Sequence, residues 1–227
     1  TSFNPLLQKA GLSLQGTLNK DIVFRNLMKN PTFTSNLEAD DLTINDVYIG
    51  QAWFNVDNAI SSDVFNTNIK FLYKTDKQET VPLQVVGKIY PYQEKDKLDL
   101  TLKMKDFNLS ILKTYLASIA SDIGGTLSCD NIKITGDFKN PDIVGVLHSH
   151  NASMKINLLN TKYYFTDNIY INNNNFSLKN FILKDAQNNK ITVNGNISHH
   201  NFQNFDINLK AIADKIKILD TKSDNGQ

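Results

Sequence analysis

The chain has 227 residues, 41% of them hydrophobic and 21% charged, with a formal net charge of +1, four histidines and one cysteine. That length holds one large all-β domain or two smaller ones. The near-neutral balance lacks the basic stripe that nucleic-acid binding requires, one cysteine excludes an internal disulfide, and no segment reaches the ~18 apolar residues of a membrane helix.

Almost every segment alternates apolar and polar residues with period two, the mark of strands with one dry and one wet face. Leu12, Leu14 and Leu18 alternate with Ser13, Gln15 and Thr17, and Phe33, Ser35, Leu37, Ala39, Leu42 and Ile44 follow. Trp53 and Phe54 lie in a strand closed by the Asp57-Asn58 turn signal. Ile69, Phe71 and Tyr73 form the next, and Val81, Leu83, Val85, Gly87 and Ile89 another. In KLDLTLKMK the alternation puts Leu98, Leu100, Leu102 and Met104 on one face, with Lys97, Asp99, Thr101, Lys103 and Lys105 on the other.

One segment departs from this. In NLSILKTYLASIASDIGG, Leu112, Tyr115, Leu116, Ile119 and Ile123 fall at helical spacing. Asn108 or Ser110 can cap the start and Gly124-Gly125 the end, predicting a short amphipathic helix over Ser110–Ser121 that covers an open end or edge of the sheet. Alternation then resumes through Ile132 and Ile134, a glycine at Gly136 and a turn at Asn140-Pro141. Met154, Ile156 and Leu158 make one strand, Tyr163 and Phe165 another, and Ile169 and Ile171 a third. Phe176 and Leu178 lead to Phe181 and Leu183; Ile191, Val193, Gly195 and Ile197 follow, then Phe205, Ile207, Leu209 and Ala211, and finally Ile216 and Ile218. At roughly one strand per dozen residues, fifteen to eighteen strands are expected.

A unit recurs: an alternating strand through a glycine, a polar turn and a second alternating strand. It reads LQVVGKIYPYQEKDKLDLTLKMKDFNLSIL from Leu83 and ITVNGNISHHNFQNFDINLKAIADKIKIL from Ile191, with a weaker copy in FTSNLEADDLTI. Recurrence of this kind implies stacked units, each covering its neighbour's apolar face. We therefore expect two related segments in one continuous architecture, residues 1–123 ending in the covering helix and residues 124–227. With no initiator methionine and no signal peptide at Thr1, the chain reads as an internal piece of a longer protein. The surplus of asparagine reads as compositional drift.

Chemistry-bearing groups are sparse. His148-Ser149-His150 places two imidazoles on one strand face, half of a zinc site, without a cysteine or acid at ligand spacing. His199-His200 reads as a solvated turn. Adjacent Asp40 and Asp41 on a strand point to opposite faces and cannot cooperate as acid and base. No nucleophile elbow, P-loop or dinucleotide fingerprint occurs. No enzyme, metal or cofactor is expected.

From Gly124 onward, ordered features accumulate: Gly-Thr-Leu, an I-x-I-x-G strand, Asn-Pro with a short strand and Gly145, and the Met154 and Ile156 strand. Tyr163-Tyr164 leads to Ile169 and Ile171, Leu183-Lys184-Asp185 to I-x-V-x-G, and F-x-x-F-D-x-x-L closes the run from Phe202. In this order they resemble the C-terminal region of the TamB family, in the AsmA-like superfamily; the first half, with Tyr48-Ile49-Gly50-Gln51-Ala52-Trp53, resembles the region upstream. The resemblance implies an all-β, long, curved, open sheet or trough (β-taco-like) with an apolar groove. It also implies a periplasmic location in a Gram-negative bacterium, an inner-membrane anchor outside this chain, and an Omp85-type outer-membrane partner engaged by other regions. The expected function is to shield phospholipid acyl chains in transit to the outer membrane and to support outer-membrane protein assembly, with neighbouring repeats of the same chain as further partners. At ~0.8 kcal/mol per CH₂, a sixteen-carbon chain gains roughly 10 kcal/mol on leaving water. The expected lining is Leu98, Leu100, Leu102, Met104, Ile132, Ile134, Ile156, Leu158, Ile191, Val193, Ile207 and Leu209. The rival reading is a structural or adhesive all-β surface repeat whose apolar faces pack only on each other.

Overall fold

The computed structural model describes residues 13–19, 22–26, 32–44, 46–58, 63–74, 79–200 and 203–213. The expected strand residues Leu12, Ile216 and Ile218 lie outside them. The first half of the sheet comprises β1 (Leu14–Asn19), β2 (Ile22–Arg25), β3 (Thr32–Ile44), β4 (Val47–Asp57), β5 (Phe65–Lys74), β6 (Glu79–Ile89) and β7 (Leu98–Asn108). The second comprises β8 (Ala120–Gly136), β9 (Pro141–Ile156), β10 (Thr161–Phe165), β11 (Asn168–Asn172), β12 (Asn175–Lys184), β13 (Lys190–His200) and β14 (Gln203–Ala213). All fourteen form one antiparallel sheet in which chain neighbours are sheet neighbours. Two tracks are split: β1 and β2 both pair with β3, and β10 and β11 both lie between β9 and β12. Among the described residues β14 pairs with β13 alone and β1 and β2 with β3 alone, so the meander stays open.

Period-two alternation puts the apolar side chains of successive strands in direct register. One row runs Leu37, Phe54, Ile69, Val85, Leu102, Ile132 across β3 to β8. Gly145 follows on β9, and Ile132 fills its place: a Cβ added there would sit 2.6 Å from Ile132 Cγ1. The row continues through Ile171, Phe176, Ile197 and Ile207 to the last strand. The opposite face carries amides and hydroxyls that bond across strands. Asn55 Nδ2 donates to Asn36 Oδ1 at 2.7 Å, Gln84 Nε2 to Asn68 Oδ1 at 3.0 Å, and Ser177 Oγ to Asn196 Oδ1 at 2.6 Å.

A single flat sheet leaves both faces in water, yet Ile132 and Tyr163 are each only 1% exposed. The sheet therefore curls so that its apolar face covers itself. The curling has a sequence cause. All twelve described non-glycine residues with positive φ are Asn or Asp, the side chains that tolerate the left-handed region best. Several sit where the register slips, among them Asp106, Asn151 and Asn180. At these three bulges a backbone N–H is accepted by a side chain from a neighbouring strand or from the β10–β11 break. Asp106 N donates to Ser128 Oγ at 3.0 Å, Asn151 N to Thr166 Oγ1 at 3.1 Å, and Asn180 N to Asn194 Oδ1 at 2.7 Å. Bulges bend and twist a sheet locally. The asparagine surplus thus has a structural use, where composition alone suggested drift. Gly87 and Gly195, the matched glycines of the repeat, add to the curvature at φ +146° and +141°. A Cβ at either would lie 2.1 Å from a carbonyl oxygen of the next strand. The two repeat copies are the β6–β7 and β13–β14 hairpins, whereas FTSNLEADDLTI is a single bulged strand, β3.

Expectation and structure differ at the covering helix and at the segment boundary. First, the helix is shorter than Ser110–Ser121: a 3-10 turn (Leu109–Leu112) runs into one α-helical turn (Lys113–Leu116). Asn108 caps it, its Oδ1 accepting from Ser110 N at 2.9 Å. Residues from Ala120 on belong to β8, because Ala120 and Ser121 pair with Ile156 and Lys155, and that ladder outweighs helical spacing. Gly124 and Gly125 therefore lie inside a strand, Gly125 passing close under Ala152 beside the Asn151 bulge. Second, the expected 123/124 boundary falls within β8, so the two segments share a strand of one continuous sheet. Among the described residues fourteen strands form, against the fifteen to eighteen expected for the whole chain, and bulges break the alternation of β8 and β9 without ending them.

The short helical element spans the apolar face. Leu109 packs into a cluster with Leu127, Ala152, Tyr163, Phe181 and Val193, and Ile111 into one with Ala39, Leu42, Ile49 and Ala52. Side chains two residues apart thereby join the β8–β13 side to β3 and β4. In a flat sheet β4 lies three strand spacings, about 14 Å, from β7.

Candidate apolar groove

The expected lining residues divide by strand. Leu98, Leu100 and Leu102 pair directly with Gly136, Ile134 and Ile132, and Met104 with Leu83 and Cys129. On the other side Ile191 and Val193 pair with Ala213 and Ala211, and Gly195 and Ile197 with Leu209 and Ile207. Ile156 pairs with Ala120 and Thr161. Eleven of the twelve thus lie on the one apolar face. Leu158 does not. Strand β9 ends at Ile156, Asn157–Leu159 form a 3-10 turn, and Leu158 is 87% exposed. The turn is fixed by Asn160 in the left-handed conformation, whose N–H closes onto Asn157 O.

Burial differs along the face. Leu98, Ile132, Ile191 and Val193 are buried, with Val193 at 4%, while Leu100, Leu102, Met104, Ile134 and Ile156 are half-buried. On the terminal strand Ile207 is 49% and Leu209 38% exposed. At the opposite edge Leu18, Ile22 and Phe24 are exposed, Phe24 at 61%. Their register partners are Ala39, Ser35 and Phe33, and a chain of rings, Phe24–Phe33–Phe65, runs inward with centroids 6.2 and 5.1 Å apart. Among the described residues the face is therefore closed in the middle by the protein's own side chains and exposed at both edges. Alternation could have indicated Leu18, Ile22 and Phe24 as members of it. Nothing in the pattern indicated that the centre would close.

The middle holds two buried ionisable groups. The Tyr163 hydroxyl is pushed up from its ordinary range, first by burial and then by the nearby Asp185 carboxylate, although a hydrogen bond with Thr161 works the other way. Burial likewise raises the Cys129 thiol, whose Sγ lies 3.6 Å from Leu102 O.

The other polar groups have structural work. His148 Nδ1 contacts Asn168 Oδ1 at 2.7 Å and His150 is exposed; among the described residues no group of three or more His, Cys, Asp or Glu side chains is placed to hold a metal. Asp167, at the break between β10 and β11, accepts from Asn168 N and Ile182 N and so bridges the split track. Asp185 accepts from Gln187 N, Asn189 N and Asn189 Nδ2 in the β12–β13 turn. Asp40 accepts from Asn19 and Gln51, while Asp41 is a bulge residue. His199 is not a solvated turn residue: it is buried at the end of β13 between the rings of Phe176 and Phe205, at 5.0 and 5.9 Å. The cause is strand extension, since pairing between β13 and β14 continues to His200 and Gln203.

In comparisons with known proteins, no family model, curated protein or solved structure matches the chain.

Proposed function

We propose that this chain is a segment of a periplasmic lipid conduit similar to the TamB family, anchored through a part of the protein outside it. It shields phospholipid acyl chains on an apolar sheet face and performs no bond-breaking chemistry. The observation that carries the reading is the apolar row from Leu37 to Ile207, in register across the open meander and uncovered at the two edge tracks. An open edge with apolar side chains in line is what a neighbouring repeat of the same chain needs to prolong the face. The Omp85-type partner belongs to regions beyond this segment.

The closed centre favours a second reading, a structural all-β repeat whose face packs only on itself. A photo-crosslinking residue at Leu209 separates the two. The conduit predicts phospholipid adducts there, and far fewer from Lys210, which points to the other face. Equal labelling at both positions, or labelling of protein alone, would leave the structural repeat.

A further inference from the structure

We propose that the rim made by the β7–β8 connection, the β9–β10 turn and the β12–β13 hairpin docks on an anionic phospholipid surface. This inference stands independently of the conduit reading. The rim presents apolar side chains to water on a rigid mount. Leu158 is 87% exposed and Ile119, beside it, 40%. Asn157 fixes both: its N–H donates to Ile119 O and its Nδ2 to Ala117 O, each at 3.0 Å, and its Oδ1 accepts from Ser121 Oγ at 2.8 Å. A leucine held out in this way presents apolar surface that no neighbour in the fold removes from water.

The same rim gathers like charge. Lys155 stands directly opposite Lys162, and Lys184 directly opposite Lys190. Tyr164 links the two pairs, because it pairs with Lys184 and shares a strand face with Lys162. All five lie on the outer face, since the alternate residues Tyr163 and Phe165 are buried. Like charges directly opposite on neighbouring strands are destabilising, and this rim has two such pairs side by side. Two acids of the described rim stand near them: Asp122, paired with Lys162 at 2.7 Å, and Asp185, turned inward and bonded within its hairpin. Tyr164 is 43% exposed, with Lys162 Nζ 5.8 Å from its ring centroid.

Protruding aliphatic side chains, a half-exposed tyrosine and a row of lysines together fit a membrane interface. The apolar tips enter the headgroup layer, tyrosine sits at its boundary, and ammonium groups meet lipid phosphates. Nucleic acid fits less well, because aliphatic tips gain nothing from phosphate backbones and the chain's one arginine, Arg25, lies at the opposite end of the strands.

The test is cosedimentation of the 227-residue chain with phosphatidylglycerol–phosphatidylethanolamine vesicles and with phosphatidylcholine vesicles. Binding is expected on the anionic vesicles, falling steeply with added salt. Lys155→Gln with Lys184→Gln should weaken it about twentyfold or more, at roughly fivefold per lysine. Leu158→Asn should weaken it about tenfold or more, and Lys133→Gln, elsewhere on the outer face, should leave it unchanged. Far-UV circular dichroism checks that each variant is folded, and Lys190→Gln substitutes for any that is not. Three results would each overturn the proposal: equal binding to phosphatidylcholine, affinities unmoved by the rim variants, or no binding to either vesicle.

Discussion

The joint between β8 and β9 offers a quantitative test of how the apolar face is packed. Ile132 is 1% exposed and occupies the space over Gly145, where an added Cβ would meet Ile132 Cγ1 at 2.6 Å, Ile132 Cα at 3.0 Å and Asn131 O at 3.1 Å. Ile132→Ala removes three carbons, about 2.4 kcal/mol of transfer free energy. The cavity left among Cys129, Ile171, Leu102 and Phe176 brings the expected loss to about 3–4 kcal/mol. Gly145→Ala alone forces the isoleucine aside and should cost about 1–3 kcal/mol. In the double variant the alanine methyl moves into space that the isoleucine has vacated. The two losses should then fall short of additivity by about 1–2 kcal/mol, well beyond the roughly 0.3–0.5 kcal/mol scatter of independent sites. Urea unfolding with an unchanged m-value is the measurement. Strict additivity would refute the packing of Ile132 on Gly145, and with it the continuity of the row across the sheet's middle.

Gly87→Ala and Gly195→Ala should each lower stability by about 2 kcal/mol or more, since both place a methyl on a carbonyl of the next strand at positive φ. Gly124→Ala, whose nearest neighbour is Ser153 Oγ at 3.4 Å, should stay within about 0.5 kcal/mol in the same urea unfolding measurements. Asn194→Ala strips the acceptor from the Asn180 bulge N–H and should cost about 1–2 kcal/mol, read by urea titration. The raised Tyr163 hydroxyl binds its proton more tightly in the folded chain. Its stabilisation is therefore intact below about pH 10, the unfolded value, and is lost as pH climbs from there through the higher folded value. Alkaline titration of stability should show that loss, and Tyr163→Phe should reduce it. The Cys129 thiol, buried and raised, should resist a thiol reagent until urea unfolds the chain.

Much of the sheet was legible because alternation reports directly which residues share a face. Leu98 to Met104, and the pairing of Gly87 and Gly195 with their next strands, need no more than that. The phase breaks were harder. In FSLKNFILK, strict alternation from Phe176 and Leu178 would bury Asn180 and expose Phe181, whereas a bulge at Asn180 returns Phe181 to the core at 4% exposure. The signal was present: Asp41 before Leu42, Asp106 before Phe107, Asn151 before Ala152 and Asn180 before Phe181 each mark a shift of phase. Leu158 departs from the pattern for the complementary reason: apolar spacing carries past the end of β9, where the left-handed Asn160 closes a turn. Helical spacing overshoots the helix because pairing of Ala120 with Ile156, distant in sequence, decides those residues. How far the centre closes depends on curvature accumulated over many bulges, and no local pattern carries that.

That closure limits where a lipid chain could travel. Displacing Ile132 or Val193 from the centre would cost several kcal/mol for each side chain, set against roughly 10 kcal/mol gained by sheltering a whole sixteen-carbon tail. Opening the Leu109 and Ile111 bridge as well would consume the rest. A tail therefore gains most where the face is already uncovered, along Leu18, Ile22 and Phe24 at one edge and Ile207 and Leu209 at the other. These are also the tracks at which an adjoining sheet would add its own strand, so shelter for a tail and continuation of the sheet depend on the same backbone. The curling devices, left-handed Asn and Asp bulges with their side-chain acceptors, hold the centre shut while the meander stays open. On the proposed conduit reading the segment is a stiff wall with two receptive margins, and Leu209→Arg should abolish the lipid labelling that reading predicts with little loss of stability, whereas Val193→Arg should unfold the chain.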